Sequence, residues 1–134
     1  VDLLTANLVV AAALAGLIWT IQVVHYPLFA LVGAADRLRY QAEHQRRIAR
    51  LVLPLMVADV ALAVAVLVRE DAALGAANAA LAVGLFAITG LVYAPMHGAM
   101  AGGATDRQIT RLVRANWVRT AAWTAQVVVA LALR

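Results

Sequence analysis

The chain has 134 residues, 65% of them hydrophobic, and a mean hydropathy of +0.87; together these exclude a water-soluble domain of this size. A net charge of +4 would suit a nucleic-acid partner, but the basic residues stand where membrane insertion alone would put them, so no nucleic acid is expected. The absence of cysteine excludes disulfides, thiolate metal sites and thiol nucleophiles.

Four apolar runs follow in chain order: Leu3 to Val24, Ile48 to Val68, Ala77 to Tyr93 and Trp117 to Leu133. Each has roughly the 17 to 25 residues that carry an α-helix across the hydrocarbon core. They predict an all-α fold, one integral membrane domain over 1–134 in which four transmembrane helices, near 3–28, 36–68, 77–100 and 106–133, form a bundle. Backbone polar groups are then satisfied within each helix, since lipid offers no partners. The first run reads as a retained helix rather than a secretory signal, because Asp2 is the only charge ahead of it and the stretch exceeds the usual apolar core of about 7 to 15 residues.

The first helix is expected to end near Pro27, which lacks a backbone donor, and the chain to turn through Gly33. A polar stretch from Asp36 to Arg50 has helical spacing and extends the second helix beyond the bilayer. Gly75 is expected in a short outer turn after Arg69, Glu70 and Asp71. The third helix ends near Pro95, and the chain turns through Gly98, Gly102 and Gly103 to Thr105 or Asp106, either of which can cap the fourth. Arg37, Arg39, Arg46, Arg47 and Arg50 mark the first connection, and Arg107, Arg111, Arg114 and Arg119 the third. The positive-inside rule puts both in the cytoplasm and both termini outside, with anionic headgroups of the bilayer as the default partner.

The two halves match as copies of one helical hairpin. Val24 and Pro27 correspond to Val92 and Pro95 at a separation of 68, and Arg39, His44 and Arg47 to Arg111, Asn116 and Arg119 at 72. Both copies start on the same side, so they would be parallel repeats about an axis along the membrane normal.

Polar side chains are costly in lipid, and here they gather toward the cytoplasmic ends. Thr89, Tyr93 and His97 recur at i, i+4 and i+8 on the third helix. Asn116, Arg119, Thr120, Trp123 and Gln126 form a face of the fourth; Gln22 and His25 belong to the first, and Tyr40, Glu43, His44 and Arg47 to the second. His25, His44 and His97, with Glu43 or Asp59 as an oxygen donor, are candidate ligands of a metal or haem, or acid/base groups, but no HExxH, HxH or CxxC motif is present and hydrogen bonding at the membrane surface is the favoured account of the imidazoles. Asp59 falls about 11 residues beyond Ile48, near the bilayer midplane. It reads either as a proton relay, ligand or substrate anchor, or as one partner of an interhelical hydrogen bond to Thr20, Gln22, Thr89 or Gln126. Arg119 and Arg47 suit a carboxylate or phosphate through the guanidinium fork, against snorkelling to lipid phosphate. Trp19 and Tyr26 read as interfacial anchors or as packing.

Three segments carry a resemblance: Val24-His25-Tyr26-Pro27-Leu28-Phe29, Ala94-Pro95-Met96-His97, and Leu112 to Thr120 with its Asn116-Trp117-Val118-Arg119 core. In these the chain resembles small four-helix bacterial membrane proteins related to the anthrone-oxygenase-like family. The resemblance implies a multi-pass protein of the bacterial inner (cytoplasmic) membrane, and a cofactor-free or metal-assisted oxidation of a polycyclic phenolic substrate.

Two function classes follow. In one, a hydrophobic ring-containing or quinone-like small molecule enters a polar pocket from the membrane, His97, Asp59, Tyr93, His25 and His44 carry the chemistry, and Asn116, Arg119, Trp123, Arg47 and Gln22 bind the substrate. In the other, the chain is a non-catalytic subunit or assembly module whose alanine-rich faces pack against partner helices of a homo-oligomer or a membrane complex. A transporter ranks behind both, since four short helices would have to dimerise to enclose a path.

Overall fold

The structure is a computed structural model and describes residues 1–70, 72–100 and 102–134. Asp71, the acidic residue of the second connection, lies outside the described residues. The described residues form four long helices and no strand. Helix α1 runs over Leu3–Phe29, α2 over Ala34–Arg69, α3 through Ala72–Ile88, Thr89–Tyr93 and Ala94–Gly98, and α4 over Asp106–Ala132. Three of them, Leu3–Phe29, Ala34–Arg69 and Ala73–Gly98, are long and apolar enough to cross a membrane. Helix α4 differs because Asp106, Arg107, Arg111, Arg114 and Arg119 stud its first half.

Helix starts follow local chemistry. Asp2 caps α1 by accepting from the Thr5 amide at 2.8 Å. Thr105, rather than Asp106, caps α4 in a reciprocal box with Gln108: the Gln108 amide donates to Thr105 Oγ1 at 3.2 Å and the Thr105 amide to Gln108 Oε1 at 2.9 Å. Just before it, Gly103 has φ +114°, a backbone that side-chain-bearing residues rarely adopt.

The first and third helices end near Pro27 and Pro95, as expected, at Phe29 and Gly98, two and three residues past each proline. Each proline sits two residues past a π turn, Ile21–His25 or Thr89–Tyr93. There the bonding pattern lengthens by one residue, the Tyr26 amide donating to the Ile21 carbonyl and the Ala94 amide to Thr89. The wider turn absorbs the donor each proline lacks, so the helices continue to Phe29 and Gly98. Pro54 lies within α2, which also stays unbroken.

Consecutive helices pack side by side, and α4 closes the ring against α1. Gly75 is a correction to the expected outer turn: α3 already begins at Ala72, and Gly75 is buried inside its first turns. A Cβ there would stand 3.0 Å from the Leu67 Cα, so glycine lets α2 and α3 touch backbone to backbone at that end. Close packing of α2 on α3 is confined to Ala72–Ile88 and falls away beyond Thr89.

Buried amides and one carboxylate tie the helices across the ring. Asn78 Nδ2 donates to Asn7 Oδ1 at 3.1 Å between α3 and α1, and Gln126 Nε2 to Asp59 Oδ1 at 2.8 Å between α4 and α2. Both ties span diagonals of the bundle. At the arginine-rich end, Arg37 joins the two connections: it donates to the carbonyls of Ala30, Val32 and Ala104 and pairs with Asp106 at 2.7 Å.

Candidate functional site

The splay of α2 from α3 leaves a cavity of about 450 Å³. Its deep part is apolar, lined by Leu14 and Ile18 of α1 and by Val52 and Met56 of α2. Its other end is polar, with Tyr26, His44, Tyr93, His97 and Arg119 in the wall. Ala49, Leu53, Phe86, Gly90 and Ala94 line it too and are exposed, so the cavity opens sideways between α2 and α3.

The π turns set which side chains reach this wall. Eight residues along an uninterrupted α-helix end about 80° off the starting face. The extra residue in each wide turn removes most of that drift, and so Ile18 and Tyr26, like Thr89 and His97, line one cavity although each pair is eight apart. The expected face of Thr89, Tyr93 and His97 therefore does form, by way of the π turn rather than by α-helical spacing.

Arg119 is the centre of the polar end and is only 6% exposed. Its Nε donates to Asn116 Oδ1 at 2.9 Å, Nη2 donates to the same oxygen and, at 3.4 Å, to Tyr26 Oη, and the guanidinium carbon lies 3.9 Å over the Tyr93 ring centroid. Asn116 is held in turn: its Nδ2 donates to Gln22 Oε1 at 2.7 Å, and Gln22 Nε2 to the Val113 carbonyl at 3.2 Å. Tyr93 is fixed by donating to the Ala115 carbonyl at 2.6 Å. No carboxylate pairs with Arg119 among the described residues. Glu43 is taken by Arg46 and Arg47, Asp106 by Arg37, and Asp59 bonds Gln126.

His97 bridges α3 to both hairpin partners. Gln41 Nε2 donates to its Nδ1 at 3.1 Å, and its Nε2 lies 3.2 Å from Tyr26 Oη. With Nδ1 accepting, the hydrogen-bond network assigns the proton of the neutral ring to Nε2, which donates to Tyr26 Oη. That oxygen thus accepts from His97 and from Arg119, and its own hydrogen remains for a group in the cavity. Three more polar groups on lining residues have no partner among the described residues, Trp123 Nε1, Gln45 Nε2 and the Thr89 hydroxyl, and behind His97 the Gln41 Oε1 acceptor is also unpartnered. The polar end is thus rich in donors and lacks a negative charge.

The remaining expected residues divide between this cavity and an outer groove. His25, Tyr40, Glu43 and Arg47 line the groove with His44, which faces both spaces. Tyr40 Oη lies 3.3 Å from His25 Nδ1, and the His25 and His44 rings stack with centroids 4.2 Å apart. Gln22 and Asn116 stand behind Arg119 as its supports and do not line the cavity, and Asp59 lines neither space. Among the described residues, no three His, Asp or Glu side chains are placed to hold a metal ion. The stack gives a reason: ring-nitrogen lone pairs lie in the ring planes, so two near-parallel imidazoles do not aim at a common centre, and Glu43 is turned to Arg46 and Arg47.

Gln41, Gln45 and Tyr26 are site residues that the sequence reading did not single out as such. The signal for the first two is their spacing: Gln41, His44, Gln45 and Ile48 stand at i, i+3, i+4 and i+7, one face of α2. No protein-family model, curated protein or solved structure matches the chain.

Proposed function

We propose that this is a four-span protein of the bacterial inner membrane whose cavity binds a hydrophobic, ring-containing or quinone-like small molecule taken sideways from the bilayer. The observation that carries the reading is an apolar cavity ending in converging donors around Arg119. An apolar body fits the deep part, and an oxygen substituent offsets the desolvation of Arg119, Tyr26 and Trp123. A pure packing module would instead pair its polar groups among themselves and leave no space between them.

A fourth span completes the bundle through the apolar half of α4, Trp117 onward, with Arg119 turned inward. Both arginine-rich connections then lie in the cytoplasm and both termini outside. Single cysteines placed in the 30–33 and 102–104 turns should label from the cytoplasmic side only; labelling of either from outside overturns the orientation. The duplication gains support from the π turns, since Ile21–His25 and Thr89–Tyr93 are offset by the same 68 residues as the two prolines.

The binding test uses Gly90, where an added Cβ meets nothing within 4 Å. Gly90→Leu should fold with an unchanged melting temperature in detergent. It should weaken binding of a short-tailed benzoquinone, read by quenching of tryptophan fluorescence, about tenfold or more by filling the side opening. Quinone affinity that is absent in wild type, or identical in the variant, refutes a lateral site for this class.

A further inference from the structure

The polar end of the cavity selects for charge as well as for oxygen. Burying a cation without a counter-charge is costly even after the surroundings relax. Arg119 is buried, and its partners are the neutral oxygens of Asn116 and Tyr26 and the face of Tyr93. The unpartnered groups on lining residues add the indole N–H of Trp123, itself 2% exposed, the Gln45 amide nitrogen and the Thr89 hydroxyl, which can donate; the unpartnered Gln41 Oε1 is on a residue that does not line the cavity. The imidazoles add no negative charge in either protonation state. A neutral carbonyl satisfies some of these donors but leaves the guanidinium charge uncompensated, whereas an ionised oxygen satisfies both.

We infer that the cavity's ligand carries a single anionic oxygen head, a carboxylate or a phenolate, seated against Arg119, Tyr26 and Trp123 with its apolar body toward Leu14 and Met56. This rests on the proposed lateral cavity and narrows its ligand class. A carboxylate would come from a single-chain lipid acid and a phenolate from a ring compound; the head chemistry is shared, and the body tells them apart. Lipid phosphate is a poor alternative, because two acyl chains would follow the head into a space of about 450 Å³.

Trp123 supplies the readout. With Trp19→Phe and Trp117→Phe, both exposed positions, it becomes the sole tryptophan and lines the cavity. The protein is reconstituted in phosphatidylcholine vesicles and titrated, at matched bilayer mole fraction, with a mid-chain-brominated stearate, its methyl ester, a dibrominated phenol that is ionised at the working pH, and its methyl ether. The acids should quench at about tenfold lower mole fraction than their neutral partners, the gain of one charge-assisted contact. Arg119→Gln should erase that difference, and Arg119→Lys should retain part of it. Quenching by stearate alone identifies a lipid acid, by the phenolate alone a ring compound, and by both a site that reads the head only. Equal quenching by acids and neutral partners overturns the inference even if the variants fail to fold. If a neutral quinone binds while neither acid does, the inference falls and the lateral cavity stands; if no probe reaches Trp123, both fall.

Discussion

Replacing Asn116 by leucine should lower the stability of the detergent-solubilised protein by about 3 kcal/mol, the cost of stranding a buried charge. Asn116 is fully buried and holds the guanidinium through its oxygen and Gln22 through its amide nitrogen. Its loss leaves Arg119 with Tyr26 and an aromatic face, and leaves Gln22 Oε1 without its donor. An ordinary interhelical hydrogen bond in a membrane is worth far less, on the order of 0.6 kcal/mol. The double variant Asn116→Leu/Arg119→Met should recover a large share of the loss, because it removes the stranded charge with its partner. Denaturant titration followed by circular dichroism checks both. A single variant as stable as wild type would mean that Arg119 finds its charge compensation elsewhere.

The second large effect concerns Asp59. It is 1% exposed and accepts from Gln126, and it stands apart from the cavity wall. Asp59→Leu should destabilise by about 2 kcal/mol, since Gln126 is left buried with nothing to donate to. Asp59→Leu/Gln126→Leu should return close to wild type, and Asp59→Asn, which keeps an acceptor oxygen, should change little. Quinone binding should be unaltered in Asp59→Asn and in the double variant. A loss of binding there, with the fold intact, would return Asp59 to the functional list and contradict a purely packing role.

These residues also mark how far the sequence could be read. The helices were legible because apolar runs near membrane length have few other uses, and the polar ends because arginine accumulates in two connections. Asp59 was legible as a residue of consequence, with Gln126 among its named partners, but not as lying off the cavity, since helix rotation is fixed by packing and not by composition. The outer turn was misplaced because alanine continues a helix as readily as it fills a loop, and only the approach of Leu67 shows why Gly75 lies inside α3. Tyr26 was read as an interfacial anchor or as packing; its arrival at the cavity depends on a π turn, which leaves no mark in hydrophobic spacing. The same turn precedes Pro27 and Pro95, and each helix runs only two or three residues past its proline.

The diagonal ties have a further consequence for how such a chain settles during insertion. Asn7 meets Asn78 and Asp59 meets Gln126 across the centre, while Gln22 meets Asn116 and Gln41 meets His97 nearer the polar end. Each of these four contacts joins the first hairpin to the second. Sliding one hairpin along the other by one helical turn, about 5.4 Å, keeps the same faces together but parts all four pairs at once, where no water can replace them. Alanine faces alone would tolerate many offsets; the amides act as a vernier that admits one alignment of the two halves.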